Sequence, residues 1–335
     1  MNWAIWTIGT LVAIVLLAIF AVVAAFWLDG DPKKRAGGSS VECWRVHRWG
    51  PNDCEYVRND YKQLKRKAYV VIPGILAKNT QVEPLMTTLE DYEVFALVYA
   101  GLRYDRELLS TEAAELVSRF LDEYDEVVIN GLSHGGMSVC YVAEKLGHRA
   151  SEVTQVILHD PPTGQKTIIP LNGLPRWVGG FLQFTPGDQV NSVLGWVLKL
   201  MLQLPNPKNI ILPSEENQVP LLGEVVTLPT YVDWVKRSAA NDLAGHKFSM
   251  WYTELGDMIR AGKQGLPLEA LLAVKKIDVI YYADKNGTVV QPQAAVFYEQ
   301  QLPHAVFWKI SGTHCGFREN YDDNVSTLQS ALEPR

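Results

Sequence analysis

Cysteine is scarce: four thiols in 335 residues are too few for a disulfide framework, and they are scattered rather than regularly spaced. Cys43 and Cys54 lie near enough in sequence to close one small disulfide loop. Together with His47 they also raise the question of a metal, but their spacing matches no zinc-ligand pattern, and three isolated residues is the simpler reading. Excess positive charge is lacking too. Lys and Arg total 31 against 37 Asp and Glu, the net charge is −6 and the isoelectric point about 5.7, so the electrostatic footprint of a nucleic-acid partner is missing. There is no Walker pattern and no G-x-G-x-x-G opening a helix, and hence no sign of a nucleotide; no metal or organic cofactor is implied. No internal repeat occurs, and low complexity is confined to Gly37–Ser40. Hydrophobic residues at 47% and charged residues at 20% are ordinary for a globular chain long enough for one large domain with an insertion.

One absence is local. From Trp3 to Leu28 there is no charged residue. At about 1.5 Å per residue this run spans roughly 39 Å as a helix, enough to cross a hydrocarbon core of about 30 Å with some tilt. Trp3 and Trp6 sit at one end and Phe26 and Trp27 at the other, where interfacial aromatics belong. A cleaved signal peptide is the alternative, with Val23-Ala24-Ala25 as the cleavage site. Against it, no Lys or Arg precedes the run, and the run is about twice the length of an h-region. The basic cluster Lys33-Lys34-Arg35 follows it, and the positive-inside rule then puts the amino terminus outside and the main domain in the cytoplasm.

Beyond a flexible linker at Ala36–Ser40, Val41–Asp60 has the makings of an edge strand or hairpin. Ala68–Ile72 reads as a buried strand ending at Pro73-Gly74, Asn79–Asp91 as a helix, and Tyr92–Tyr99 as a second strand. Ala113, Leu116, Val117 and Phe120 share one face of a helix expected over Ser110–Tyr124, capped by Ser110 or Thr111. Strands follow at Glu126–Asn130 and Val153–Leu158, separated by a helix to about Leu146. Between Thr163 and Gly265 the alternation stops. It resumes with a strand at Ile277–Tyr282, a helix near Pro292–Gln301, a strand at Ala305–Ile310 and a helix at Glu319–Leu332. Strands and helices alternating at this length call for an α/β fold with a mostly parallel, doubly wound sheet.

Between the strand at Glu126–Asn130 and its helix stands Gly131-Leu132-Ser133-His134-Gly135. A serine on a sharp strand-to-helix turn, flanked by glycines two before and two after, is a nucleophile elbow, because the glycines let the backbone turn without a Cβ collision. Here the chain resembles the α/β-hydrolase family of serine esterases and lipases, over roughly residues 66 to 332. A serine hydroxyl needs a base to take its proton, and the family's chain order is Ser, acid, His. The resemblance makes Ser133 the nucleophile. It makes His314, in the loop Ser311–Gly316 after the last strand, the base; His148, His246 and His304 lack that context. The acid is open between Asp284, at the end of the strand Ile277–Tyr282, and Asp160, after Val153–Leu158. Strict alignment to the family's turn falls on Asn286, which can orient an imidazole but not stabilise imidazolium as a carboxylate does. The oxyanion hole would use the backbone N–H groups of His134 and of Ile75, where the chain has Pro-Gly in place of the family's frequent His-Gly.

The apolar run and its basic flank imply a transmembrane anchor at 1–28 and a basic flank and extension at 29–65, and the resemblance implies a hydrolase domain at 66–332 with a helical cap at 162–265. In that insertion, Trp177, Phe181, Phe184 and the nearly uncharged run Leu194–Leu204 suit core packing, an acyl pocket or a bilayer surface. The expected activity is cleavage of a carboxylic ester or thioester with an apolar acyl group, the substrate being a small molecule or a lipid. Two alternatives use the same fold: an inactive binding module, or an acyltransferase or cofactor-free peroxidase on the same triad.

Overall fold

A computed structural model describes residues 40–50, 53–74, 85–86, 88–101, 104–164, 167, 218–221, 224–227, 248–261, 265–282, 290–310 and 321–334. The apolar run 1–28, most of the helix expected over Asn79–Asp91 and most of the insertion lie outside them. Among the described residues, no helix is long and apolar enough to cross a membrane.

The strands are β1 (Ser40–Gly50), β2 (Asp53–Arg58), β3 (Lys67–Ile72), β4 (Tyr92–Ala100), β5 (Glu126–Leu132) and β6 (Gln155–His159). After them come the short hairpin β7 (Gln218–Leu221) and β8 (Glu224–Thr227), then β9 (Ile277–Tyr282) and β10 (Val306–Ile310). The helices are α1 (Arg106–Glu123), α2 (His134–Leu146), α3 (Phe248–Ala261), α4 (Gln293–Gln301) and α5 (Tyr321–Leu332). Eight strands form one sheet in the order β10-β9-β6-β5-β3-β4-β1-β2. From β10 to β4 neighbouring strands run parallel, and the hairpin β1–β2 adds antiparallel at the β4 edge.

Apolar residues crowd the parallel strands because both faces are covered. Along β3, Ala68, Val70 and Ile72 face the layer that holds α1 and α2, while Tyr69 and Val71 face the opposite core. Phe95 and Leu97 of β4 alternate with Val94 and Ala96 in the same way, as a side-chain period of two requires. Val117 and Phe120 of α1 are buried against the first face, and Phe120 stacks on Phe95 with ring centroids 4.5 Å apart. Leu328 of α5 belongs to the second core.

Three differences from the sequence reading have local causes. First, α1 begins at Arg106, earlier than expected, because the Asp105 carboxylate accepts from Leu108 N at 3.2 Å and caps it. Ser110 sits a turn inside the helix, donating its hydroxyl proton back to the Arg106 carbonyl at 2.6 Å. Second, Cys43 and Cys54 do not close a disulfide loop with each other; although they lie on paired strands, the β1–β2 register sets Arg48 opposite Cys54. Third, the insertion, expected to be helical, contains the β7–β8 hairpin as well as α3.

The β1–β2 hairpin is held by a buried ion pair. Arg45 Nη2 donates to Glu93 Oε1 at 2.9 Å, Lys65 N donates to the same oxygen at 2.9 Å, and the Tyr124 hydroxyl donates to Glu93 Oε2. A carboxylate out of water is tolerated when its lone pairs are satisfied this way.

The order of the strands matters for function. The chain steps from β3 to β4 on one side, then returns to lay β5 on the other side of β3 and continues outward through β6, β9 and β10. The strand order therefore reverses around β3. In open α/β sheets, the crevice beyond the carboxyl ends of the strands at such a reversal is where ligands bind.

Candidate active site at the carboxyl end of β5

Ser133 occupies the single residue between β5 and α2, with φ 52° and ψ −120°. This is a sparsely allowed region for a residue with a Cβ, and strain of this kind costs on the order of 1–3 kcal/mol. Two backbone bonds hold the turn: Ser133 N donates to the His159 carbonyl at 2.8 Å, and Gly136 N donates to the Ser133 carbonyl at 2.8 Å. The first links the elbow to the end of β6; the second closes the first turn of α2. Ser133 is buried, 8% exposed.

The glycines follow from packing. A Cβ on Gly135 would stand 1.9 Å from the Ile72 carbonyl oxygen, and one on Gly131 2.5 Å from the Gly135 oxygen. Gly136 is tight as well, 2.7 Å from Pro161 Cβ. Thus α2 starts in backbone contact with the end of β3. Ile72 pairs with Gly131 in the β3–β5 register, so the chain leaving β3 through Pro73-Gly74 passes beside the elbow. Ile75, the expected second oxyanion donor, lies one residue beyond, outside the described residues. So do His314, Asp284 and Asn286, and the aromatic and apolar run Trp177–Leu204.

Of the expected site residues, the structure brings Ser133, His134 and Asp160 together. Asp160 follows β6 directly, 3% exposed and at φ 47°, with its N–H donated to the Ile280 carbonyl at 2.7 Å. The segment after it, Pro161–Gly164, is irregular. Beneath it, the His159 ring stacks on Tyr282, and its Nε2 is 2.7 Å from the Tyr282 hydroxyl. That hydroxyl donates to Asn324 Oδ1 at 2.6 Å. Having only one proton, it must accept from His159, which fixes a hydrogen on Nε2. The network ties the end of β6, the end of β9 and α5.

Several residues at the elbow escape sequence reasoning. The side chain of His134 is buried and its Nδ1 lies 2.6 Å from Oε1 of Glu254, a buried residue of α3. The Tyr104 ring meets the His134 ring edge-on with centroids 5.6 Å apart. Ser138, one turn along α2, donates its hydroxyl to the His134 carbonyl at 3.3 Å, and Tyr99 and Tyr104 are buried nearby, with ring centroids 5.6 Å apart. Burial raises both phenols well above the ordinary tyrosine value, so they stay neutral donors. No periodicity could have joined these groups, since Tyr104 follows β4 and Glu254 lies in α3, far along the chain.

A backbone-strained serine between a central parallel strand and a helix has the geometry of a nucleophile elbow. No protein-family model matches the chain, and no curated protein does so. Solved structures do. A bromoperoxidase from Bacillus anthracis superposes with a TM-score of 0.53 at 12% identity, covering 88% of this chain and 100% of that one. An enol-lactonase from Burkholderia xenovorans LB400 gives 0.51 at 13% identity, covering 87% and 96%. A thermophilic esterase from Thermogutta terrifontis gives 0.51 at 13%, covering 80% and 90%. Their likeness, together with the mostly parallel eight-stranded sheet, shows that this chain has the α/β-hydrolase fold.

Proposed function

We propose that the protein is a serine hydrolase that cleaves a carboxylic ester or thioester with an apolar acyl group. The observation that carries the reading is the strained conformation of Ser133, φ 52° and ψ −120°, at the carboxyl end of β5 where the strand order reverses. Strain at a buried polar residue persists when the surrounding structure enforces it, and the fitted glycines do so here.

In this mechanism Ser133 Oγ attacks the substrate carbonyl while His314 takes its proton. The carbonyl oxygen becomes an oxyanion held by the N–H groups of His134 and Ile75, and the C–O or C–S bond breaks as His314 returns the proton to the leaving group. Water, deprotonated by the same imidazole, then releases the acid from the acyl-enzyme. Asp160 or Asp284 orients the imidazole; burial at the carboxyl end of the strand beside β5 supports Asp160. The apolar run at Trp3–Leu28 anchors the chain in a membrane with the catalytic domain on the cytoplasmic side, which favours substrates that partition into lipid.

The test is labelling of the detergent-solubilised full chain with a fluorophosphonate, comparing wild type with Ser133→Ala and His314→Ala. Labelling of wild type alone supports the mechanism. A folded wild-type chain that fails to label makes the inactive binding module the better reading. Product analysis with competing nucleophiles then separates hydrolysis from acyl transfer or peroxidation.

A further inference from the structure

We propose that Glu254 is a positioning residue that aims the oxyanion-binding N–H of His134; the proposal rests on the serine-hydrolase reading above. Glu254 and His134 are both buried, 5% and 2% exposed, and their Oε1 and Nδ1 atoms stand 2.6 Å apart. The pair is at ion-pair distance without hydrogen-bond alignment. The ring is further confined by the edge of Tyr104 and by the backbone of its own helix, where Ser138 Oγ donates to the His134 carbonyl at 3.3 Å.

The consequence reaches the reacting centre because His134 is the first residue of α2. Its N–H must point at the place where the oxyanion forms, with a donor distance of about 2.7–3.1 Å, and catalytic groups need support to hold within about 0.5 Å. The Ser133 peptide on one side is fixed by His159 and Gly136. The side chain on the other is fixed by Glu254.

Glu254 is itself held rigidly, through contacts at helical spacing along α3. Thr253 Oγ1 accepts from Tyr104 N at 2.7 Å. Asp257 Oδ2 accepts from Arg106 Nε and Nη2 at 3.0 and 2.8 Å, and the Arg106 guanidinium lies 4.5 Å over the Tyr141 ring of α2. Met250 and Met258 are buried on the same helix. The last helix of the insertion therefore sets the aim of an amide in the body of the fold.

The experiment compares wild type, Glu254→Gln and Glu254→Leu as full-length protein in detergent. It measures kcat and KM on a matched ester and thionoester, together with the thermal midpoint. A thionoester places sulfur, a poor hydrogen-bond acceptor, in the oxyanion hole, so the rate ratio of ester to thionoester reports how well the amide is aimed. The expected result is a kcat on the ester about 10- to 100-fold below wild type for Glu254→Leu, a smaller loss for Glu254→Gln and little change in KM. Removing a donor outright costs about 10²–10³-fold, so misaiming costs less. The ester-to-thionoester ratio should fall alongside kcat. A role in packing alone would lower the thermal midpoint and leave that ratio unchanged, which would overturn the proposal. So would wild-type kcat in folded Glu254→Leu, or in Glu254→Gln if the leucine variant does not fold. A folded wild-type chain inert to both substrates and to the fluorophosphonate would instead overturn the hydrolase reading and take this proposal with it.

Discussion

Gly135→Ala is the sharpest perturbation of the elbow, because one methyl group tests the contact between α2 and β3. The added Cβ would sit 1.9 Å from the Ile72 carbonyl oxygen, 2.7 Å from the Pro73 oxygen and 2.8 Å from the Ile72 carbonyl carbon. All three are backbone atoms, so no rotamer change relieves the overlap. Reaching an ordinary contact of 3.4 Å requires the start of α2 to withdraw by about 1.5 Å. Overpacking of this kind costs typically about 1–3 kcal/mol and occasionally more. For a chain of this size that is a midpoint lowered by several degrees, at roughly 2–4 °C per kcal/mol. The kinetic effect should be larger than the loss of stability suggests, since a displacement of about 1 Å at a reacting centre can cost about 10²-fold.

The assay is the rate of fluorophosphonate labelling of Ser133, measured beside the thermal midpoint, with Gly147→Ala as control. Gly147 also has a backbone that disfavours a side chain, at φ 58°, but a Cβ there meets nothing within 4 Å. Gly147→Ala should therefore lose on the order of 1 kcal/mol through backbone strain and label at the wild-type rate. Gly135→Ala should label about 100-fold more slowly while still folded. If it labels as fast as wild type with an unchanged midpoint, α2 does not abut β3 as described, and the account of how the elbow is held is wrong.

One of Asp160→Asn and Asp284→Asn should lower kcat by about 10³- to 10⁴-fold; if neither does, Asn286 or no acid orients the base. Burial pushes the Cys43 and Cys140 thiols up to about 12, leaving about one thiolate in 10⁴ at pH 8, so both should resist iodoacetamide until the chain unfolds. Membrane topology is therefore to be read with an impermeant thiol reagent at half-buried Cys54, where labelling in intact cells would reverse the proposed orientation. Burial also raises the phenols of Tyr69, Tyr99, Tyr104 and Tyr298 above the ordinary value of 10.0. A raised folded value stabilises the neutral phenol, so this contribution is fully present below pH 10 and is lost as pH climbs through the folded values. Phenolate absorbance should show these residues ionising only as the chain unfolds, and reversible ionisation near pH 10 in the folded protein would refute their burial.

The elbow was legible because its determinants are contiguous. A β-branched run, a serine between spaced glycines and a helix-compatible continuation all fall within about twenty residues, and each constrains the same turn. The start of α1 was less legible: Ser110 is an acceptable cap by type, yet Asp105 lies one turn earlier and its carboxylate reaches Leu108 N. Only the tertiary path of the chain decides between them. The Glu254–His134 contact was not legible at all. His134 is recorded in sequence only as the residue after the serine, and Glu254 as one acid in a stretch without periodicity, and nothing local relates them. What joins them is the docking of α3 against Tyr104, Arg106 and Tyr141, an arrangement of contacts distant along the chain. That difference has a chemical counterpart. The position of the nucleophile is set by β5 and its neighbours, whereas the aim of the amide opposite it depends on an insertion that the sheet does not need in order to form. A change in the insertion can therefore alter the rate of acyl transfer while leaving Ser133 where it is. Glu254→Gln, with Ser133 and its glycines untouched, is the substitution in which those two dependences separate.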